Sequence, residues 1–400
     1  MQMADMQNPR TESSRTRWLM LALLFVGRTG TGFQFQALGS LSEPLVGQLG
    51  LSYTEIGTLI GLFMLPGLVL ALPAGYAGRY LSDRALIAIA LLTLAAGGVI
   101  AAIAQGFGLL ALGRIVSGAG FVISTVYFTK MIADWFGNRE LATAMSILVM
   151  SWPFGIAMAQ VGHVWIAVNF DWRTAFLVAS AYCAVGAAAV FLLYRGPAHA
   201  KRSQHASLVA LPRRELVLTL LASTVWGLFN ASYVIFLSFA PQVLVGGGYQ
   251  PTRAAAVISI ASWVMIFSGA LCGQLVDRTG QRDLVIYGCL GVGALVLLLL
   301  PLTSHAVALS LLFGLIAVAP AGVIIALSAE AMAPQRRALG MGVFMTFYFM
   351  QQTAAPPLAG WLFDRGGDPY WPVLLGALLF AGAALAYWGF RRIQKSALPV

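Results

Sequence analysis

The sequence predicts an all-α integral membrane protein of twelve transmembrane helices in two homologous six-helix halves. Three observations carry that reading. Of the 400 residues, 59% are hydrophobic and only 10% are charged, against about 25% charge in ordinary soluble domains. Apolar runs recur along the whole chain, each close to the roughly 20 residues a helix needs to cross a bilayer. Landmarks in the first half return at a nearly constant offset in the second.

The spans follow in order. A polar tail, 1–17, precedes span 1 at 18–40, whose apolar run is too long for a cleaved signal sequence. Spans 2 to 6 are expected at 54–76, 85–104, 108–131, 141–166 and 173–194, which completes an N-terminal half at 18–194. A basic segment at 195–214, rich in Lys, Arg, His and Ser and without periodicity, reads as a solvated linker. Spans 7 to 12 are expected at 215–239, 254–274, 284–302, 306–329, 339–362 and 372–391, forming a C-terminal half at 215–391 with a short tail at 392–400.

The repeat rests on four landmarks. Pro44 returns as Pro241, Gly75 as Gly273, Asn138-Arg139-Glu140 as Gln335-Arg336-Arg337, and Trp172 as Trp371, all at offsets of 197 to 199 positions. One offset held over the full length argues for two related halves.

The net charge of +10 reports topology. With the N-terminus in the cytoplasm, 18 of the 24 Lys and Arg fall in cytoplasmic segments, among them Arg84, Arg195, Lys201, Arg214, Arg337 and Lys395. Arg173, Arg253 and Arg365 fall outside. This is the positive-inside bias, and it places both termini and the linker in the cytoplasm. No basic face interleaved with aromatics suggests nucleic acid. Cys183, Cys272 and Cys289 lie in spans as small apolar residues, without disulfide or metal spacing. The glycines at 27, 30 and 32 follow no strand, so they form no nucleotide loop. No hydrolase, metalloprotease or ATP-binding motif occurs, so the expectation is no enzyme, no cofactor and no metal.

Gly273-Gln-Leu-Val-Asp277-Arg278-Thr-Gly280-Gln-Arg282 resembles the cytoplasmic loop signature of the major facilitator superfamily. Gly75-Tyr-Ala-Gly-Arg79-Tyr-Leu-Ser-Asp83-Arg84 is its eroded first copy. Arg114-Ile-Val-Ser-Gly118 in span 4, and Trp135-Phe136-Gly-Asn-Arg139-Glu140 after it, resemble that family's patterns at those places. The resemblance covers residues 18–391. It implies a secondary transporter working by alternating access, with spans 1, 4, 7 and 10 around a central cavity and proline-bent spans such as 5, 8 and 11 moving. It assigns gating or structural roles to Gly75, Arg79, Asp83, Arg84, Arg114, Gly118, Gly273, Asp277, Arg278, Gly280 and Arg282. Arg79 stands where the family has an acid that latches the cytoplasmic side, so the latch is expected to rest on Asp277 or Asp83.

Polar residues inside spans are costly and point to function. Arg28 stands ten residues into span 1, about 15 Å deep in a core roughly 30 Å thick. Thr31 and Phe35 share its face. No Asp or Glu falls at the centre of a span, so Arg28 has no internal acid and is expected to bind an anion; a carboxylate about 4 Å away would gain roughly 4 kcal/mol at an effective dielectric near 20. The alternative is a structural pairing with a helix-end dipole. Tyr127 and Lys130 on span 4 are further candidates, with snorkelling as the plainer reading of the lysine. Trp226, Asn230 and Tyr233 form a polar-aromatic stripe on span 7, and Tyr348, Gln351 and Gln352 another on span 11; both would line the cavity or serve as interhelical glue. His163 in span 5 is either a packing residue or a carrier of a coupling proton. Trp152-Pro153 mark a bend whose freed carbonyls need partners.

The expected function is uptake of a small anion, such as an organic carboxylate, by a monomer in the plasma membrane (the inner membrane of a bacterium), with a proton or counter-anion as the coupled species. Efflux of drugs or metabolites by proton antiport is the first alternative, against which the basic Arg28 counts. A non-transporting sensor on the same fold is the second, against which the short tails count.

Overall fold

The computed structural model describes residues 14–136, 140–197 and 211–396. The loop at 137–139 with Arg139, most of the linker and both chain ends therefore lie outside the described residues. Within them the fold is helical, and every expected span is present. Span 1 is Ser14–Ser40, followed by a short helix, Ser42–Leu49. Span 2 runs Tyr53–Leu62 and continues as Gly67–Ala77. Spans 3 to 6 are Asp83–Ala102, Phe107–Phe136, Leu141–Asn169 and Trp172–Leu193. Spans 7 to 9 are Arg213–Gly246, Pro251–Thr279 and Arg282–Leu299. Span 10 is broken into Ala306–Leu312, a π-turn at Phe313–Ala317, Ala321–Ile325 and Leu327–Glu330. Spans 11 and 12 are Arg337–Gly366 and Tyr370–Lys395.

Ten of these segments are long and apolar enough to cross a membrane. The other two, spans 1 and 11, carry Arg28, Gln34 and Gln36 and Gln351 and Gln352, so polar side chains dilute their apolar runs. Spans 2 and 10 differ from the continuous helices the sequence suggests. The irregular backbone at 63–66 and 318–320 coincides with Pro66 and Pro320, which lack an N–H to donate. Such irregular backbone survives at membrane depth only inside protein or beside water. Span 8, expected to be proline-bent, has its proline at the first helical residue, Pro251, where proline fits without a kink.

Prolines inside the other long helices free carbonyls, and neighbouring side chains take them up. Pro241 removes the partner of the Leu237 carbonyl, which accepts from Gln36 Nε2 (3.4 Å) and Gln160 Nε2 (3.0 Å). These bonds tie spans 1 and 5 of the first half to span 7 of the second. Span 2 meets span 11 just as closely, because Gly57 and Gly61 lie against the Pro356 and Thr353 carbonyls and Gly360 against the Tyr53 carbonyl, with no room for a Cβ. Asp364, near the end of span 11, caps the start of span 2. Its oxygens accept from Tyr53 N (2.9 Å), Thr54 N (2.7 Å) and Thr54 Oγ1 (2.5 Å). A carboxylate at a helix N-terminus gains from both the hydrogen bonds and the dipole. Ser42 Oγ and the Gln242 amide oxygen, 2.6 Å apart, add a further bond across the halves.

All of these inter-half bonds lie towards the face opposite the chain ends. On the terminal face the ion pairs stay within a half: Arg17–Glu140 (2.6 Å), Lys130 with Asp83 (2.5 Å) and Asp134 (2.9 Å), Arg336–Glu215, Arg282–Glu330, and Arg391–Asp283 (2.9 Å). The molecule is thus closed on the face opposite the termini, and on the terminal face these ion pairs among the described residues each stitch one half to itself.

Candidate functional site

Span 1 sets the site. Gly27 packs on Phe128 of span 4 and Val190 of span 6, whereas Gly32 lies against the Trp152 carbonyl of span 5. Arg28 projects between these two contacts, on the face shared by Thr31 and Phe35. Its Nη1 donates to the Leu148 carbonyl (2.7 Å), the Val149 carbonyl (3.2 Å) and Ser151 Oγ (3.2 Å). Val149 stands four residues before Pro153, so its carbonyl has no helical partner. The midplane arginine and the proline bend therefore complete one another. Arg28 Nε is buried with no partner, and so is the Trp152 indole Nε1 one turn along. Arg28 is thus fixed through Nη1, and its Nε is left without a partner.

Its face-mates are closed in. Thr31 is buried and donates to the Arg28 carbonyl at 2.7 Å. Phe35 is buried between Phe63 and Trp152, with ring centroids 5.4 Å from each.

In the second half, Trp226 and Tyr348 are partly exposed, with ring centroids 6.2 Å apart. The rest of the two stripes is committed to backbone or to neighbouring helices. Asn230 Nδ2 donates to the Trp226 carbonyl (2.7 Å), and the Tyr233 hydroxyl pairs with Ser262 (2.7 Å). Gln351 Nε2 donates to the Ser223 (3.3 Å) and Phe347 (3.1 Å) carbonyls, and Gln352 Nε2 to the Gly227 carbonyl (2.8 Å). Gln351 Oε1 is left without a partner. Among the described residues, no hydrogen bond joins these side chains to Arg28.

Arg114 is a different kind of cation. It is 1% exposed and donates to three carbonyls, Leu59 (3.2 Å), Gln34 (2.9 Å) and Phe35 (3.1 Å), with its guanidinium 4.4 Å from the Phe63 ring centre. Gly118, one turn on, lies against the Phe63 carbonyl with no space for a Cβ. The Arg-x-x-x-Gly pattern thus pins span 4 to the break in span 2. Tyr127 is buried, its hydroxyl donating to the Ala74 carbonyl at 2.8 Å. Lys130 sits between Asp83 and Asp134 rather than reaching outward alone. His163 is fully buried against Phe33, ring centroids 4.4 Å apart, and neither ring nitrogen has a partner.

Of the loop residues, Gly75 lies inside the helix Gly67–Ala77, Arg79 is exposed, and Arg84 lies 5.5 Å from the Phe191 ring centre. Gly280 ends span 8 with φ +67°, a left-handed cap suited to glycine. Gly273, Asp277 and Arg278 are at the surface, and Arg282 also donates to the Val323 carbonyl at 3.2 Å. Sequence reasoning missed Ser151, Gln34, Gln36, Gln160 and the capping role of Asp364. Glutamines placed in spans 1 and 5 at a cost to hydropathy were the available signal.

Comparison with known proteins bears on this architecture. The family model described as Major Facilitator Superfamily matches residues 24–327. The chain is 25% identical over 381 residues to a hexuronate transporter of Bacillus subtilis, covering 87% of each. It is 28% identical over 373 residues to a 3-(3-hydroxy-phenyl)propionate transporter of Escherichia coli, covering 89% of this chain and 90% of that one. A bacterial homologue of the human lysosomal transporter Spinster, solved in an inward-facing and occupied conformation, superposes with a TM-score of 0.77 at 17% identity, over 95% of this chain and 98% of that one.

Proposed function

The chain belongs to the Major Facilitator Superfamily and is a multi-pass membrane transporter rather than an enzyme, and we propose that it takes up a small organic carboxylate through a site centred on Arg28. The observation that carries this reading is the half-committed guanidinium. Nη1 is fixed on the Pro153 bend, while Nε and the neighbouring Trp152 Nε1 are unpartnered donors. The described acids lie at helix ends or in loops, so none neutralises Arg28 at mid-membrane depth.

Trp226 and Tyr348 supply an aromatic wall for the body of the ligand, as cavity sites commonly combine apolar walls with a few polar anchors. The relatives named for hexuronate and for a phenylpropionate support the carboxylate class. In this reading the termini are cytoplasmic, the membrane is the bacterial inner membrane, and the structure faces inward. His163 is the candidate carrier of a coupling proton, and a counter-anion is the other route.

Thermal-shift measurement on purified protein tests the proposal against a panel of carboxylates, inorganic anions and lipophilic cations. Stabilisation by a carboxylate, lost in Arg28→Ala, is expected. Stabilisation by lipophilic cations alone overturns it.

A further inference from the structure

Two of the three cysteines meet in the second half. Spans 8 and 9 turn back on one another at Gly280 and Gln281; Cys272 stands eight residues before the glycine and Cys289 eight after the glutamine. At 1.5 Å per residue both lie at one depth, about 12 Å from the turn. Both are free thiols, and they share a hydrogen bond. Both also line one groove of about 440 Å³, whose remaining wall comes from Leu315, Ile316 and Ala319 of span 10. We propose that Cys272 and Cys289 form a dithiol site for a neutral organic compound of trivalent arsenic. This inference does not rest on the carboxylate reading of the central site.

The lining selects for soft chemistry. No charged side chain borders the groove. Ser268, its one hydroxyl, is spent on the Gly314 carbonyl at 2.6 Å. The two sulfurs are therefore the groups left to bind a ligand, and oxygen donors for a hard cation are missing from the lining. Leu271, Leu275 and Leu284 on the walls are 60%, 51% and 67% exposed. On a membrane-spanning surface such leucines face lipid, so the groove admits a molecule dissolved in the bilayer.

Charge balance separates the thiophilic classes. A monovalent soft metal held by two thiolates leaves a net negative charge in apolar surroundings, at a high desolvation cost. An organic arsenic(III) oxide instead condenses with two neutral thiols. Two arsenic–sulfur bonds form, both S–H bonds break, and the arsenic-bound oxygen leaves with the two protons as water. No atom is oxidised or reduced, and the product carries no charge. The second bond closes within one molecule, because the hydrogen-bonded sulfurs are already side by side, and this raises its effective concentration. The organic group then lies along the leucine walls.

The test uses the purified full-length protein with phenylarsine oxide as probe, followed by excess 2-mercaptoethanol, which strips arsenic held by a single thiol. Intact mass should show one phenylarsenic group retained per wild-type chain and released by 2,3-dimercaptopropanol. Retention should fall by about a hundredfold in Cys272→Ser and in Cys289→Ser, and stay unchanged in Cys183→Ser and Arg28→Ala. The melting temperature of each variant reports whether it is folded. Proteolysis of the wild-type adduct, which needs no variant, should place the arsenic on peptides carrying Cys272 and Cys289. Failure of the wild type to retain the probe overturns the proposal, as does arsenic on Cys183 or undiminished retention in a folded Cys272→Ser or Cys289→Ser protein.

Discussion

Arg28 and Arg114 lie deep within their spans, and their surroundings separate them. Arg114 has all three guanidinium nitrogens on backbone carbonyls and a ring beneath it. Removing it forfeits three buried charge-assisted hydrogen bonds, worth roughly 1.5–3 kcal/mol each. Arg114→Ala is therefore expected to lower the melting temperature markedly while leaving the carboxylate affinity of the folded protein unchanged, as a ligand titration on the folded fraction would show. Arg28 keeps donors in reserve, and a charge-assisted bond lost there is worth about 1.5–3 kcal/mol, or roughly 10- to 150-fold in affinity. Arg28→Lys should lose most of that affinity too, because one ammonium cannot hold the Val149 carbonyl and a carboxylate in the same planar fork. The need of Arg28 for a polar partner, and the need of Pro153 for one, were both legible in the sequence. That each answers the other was not, because the two are more than a hundred residues apart and only the packing of spans 1 and 5 brings them together.

At the scale of elements, helix termini and proline bends do the joining. Asp364 caps span 2 across the halves, and three glycines let spans 2 and 11 touch backbone to backbone. A lost N-terminal cap costs about 0.5–2 kcal/mol, which acts on the closed seal alone. Asp364→Asn should therefore favour opening of this face, raising thiol labelling of a cysteine placed at Ser238 by several-fold. Gly57→Val, which drives a side chain into the Pro356 carbonyl, should move labelling in the same direction. Unchanged labelling in both would refute a seal between spans 2 and 11. The positions of the twelve spans could be read from hydropathy because each one must satisfy the bilayer by itself. The breaks in spans 2 and 10 lie outside what hydropathy reports, and Pro66 and Pro320, which lack an N–H, are the sequence signal that marks them.

At the scale of the molecule, hydrogen bonds join the two halves on the face opposite the termini, whereas the ion pairs named on the terminal face each lie within one half. Asp277 is exposed on the terminal face and joins no ion pair among the described residues, whereas Asp83 is already engaged by Lys130. A latch closing the terminal face in the opposite conformation therefore has Asp277 available. Asp277→Asn should shift the inward–outward balance more than Arg79→Ala in an accessibility-labelling assay, and equal or reversed effects would refute that assignment. The duplicated loop made the two-halved plan readable, but a sequence contains both conformations and cannot tell which face is sealed. The proposed transport site stands or falls with Arg28 as the residue that holds the crossing anion. Counterflow of a radiolabelled aryl carboxylate into proteoliposomes, compared between wild type and Arg28→Gln at matched protein incorporation, tests it most directly. Carboxylate-dependent counterflow is expected in the wild type and its loss in Arg28→Gln; counterflow of equal rate and half-saturation in both would rule out Arg28 as the anion's anchor.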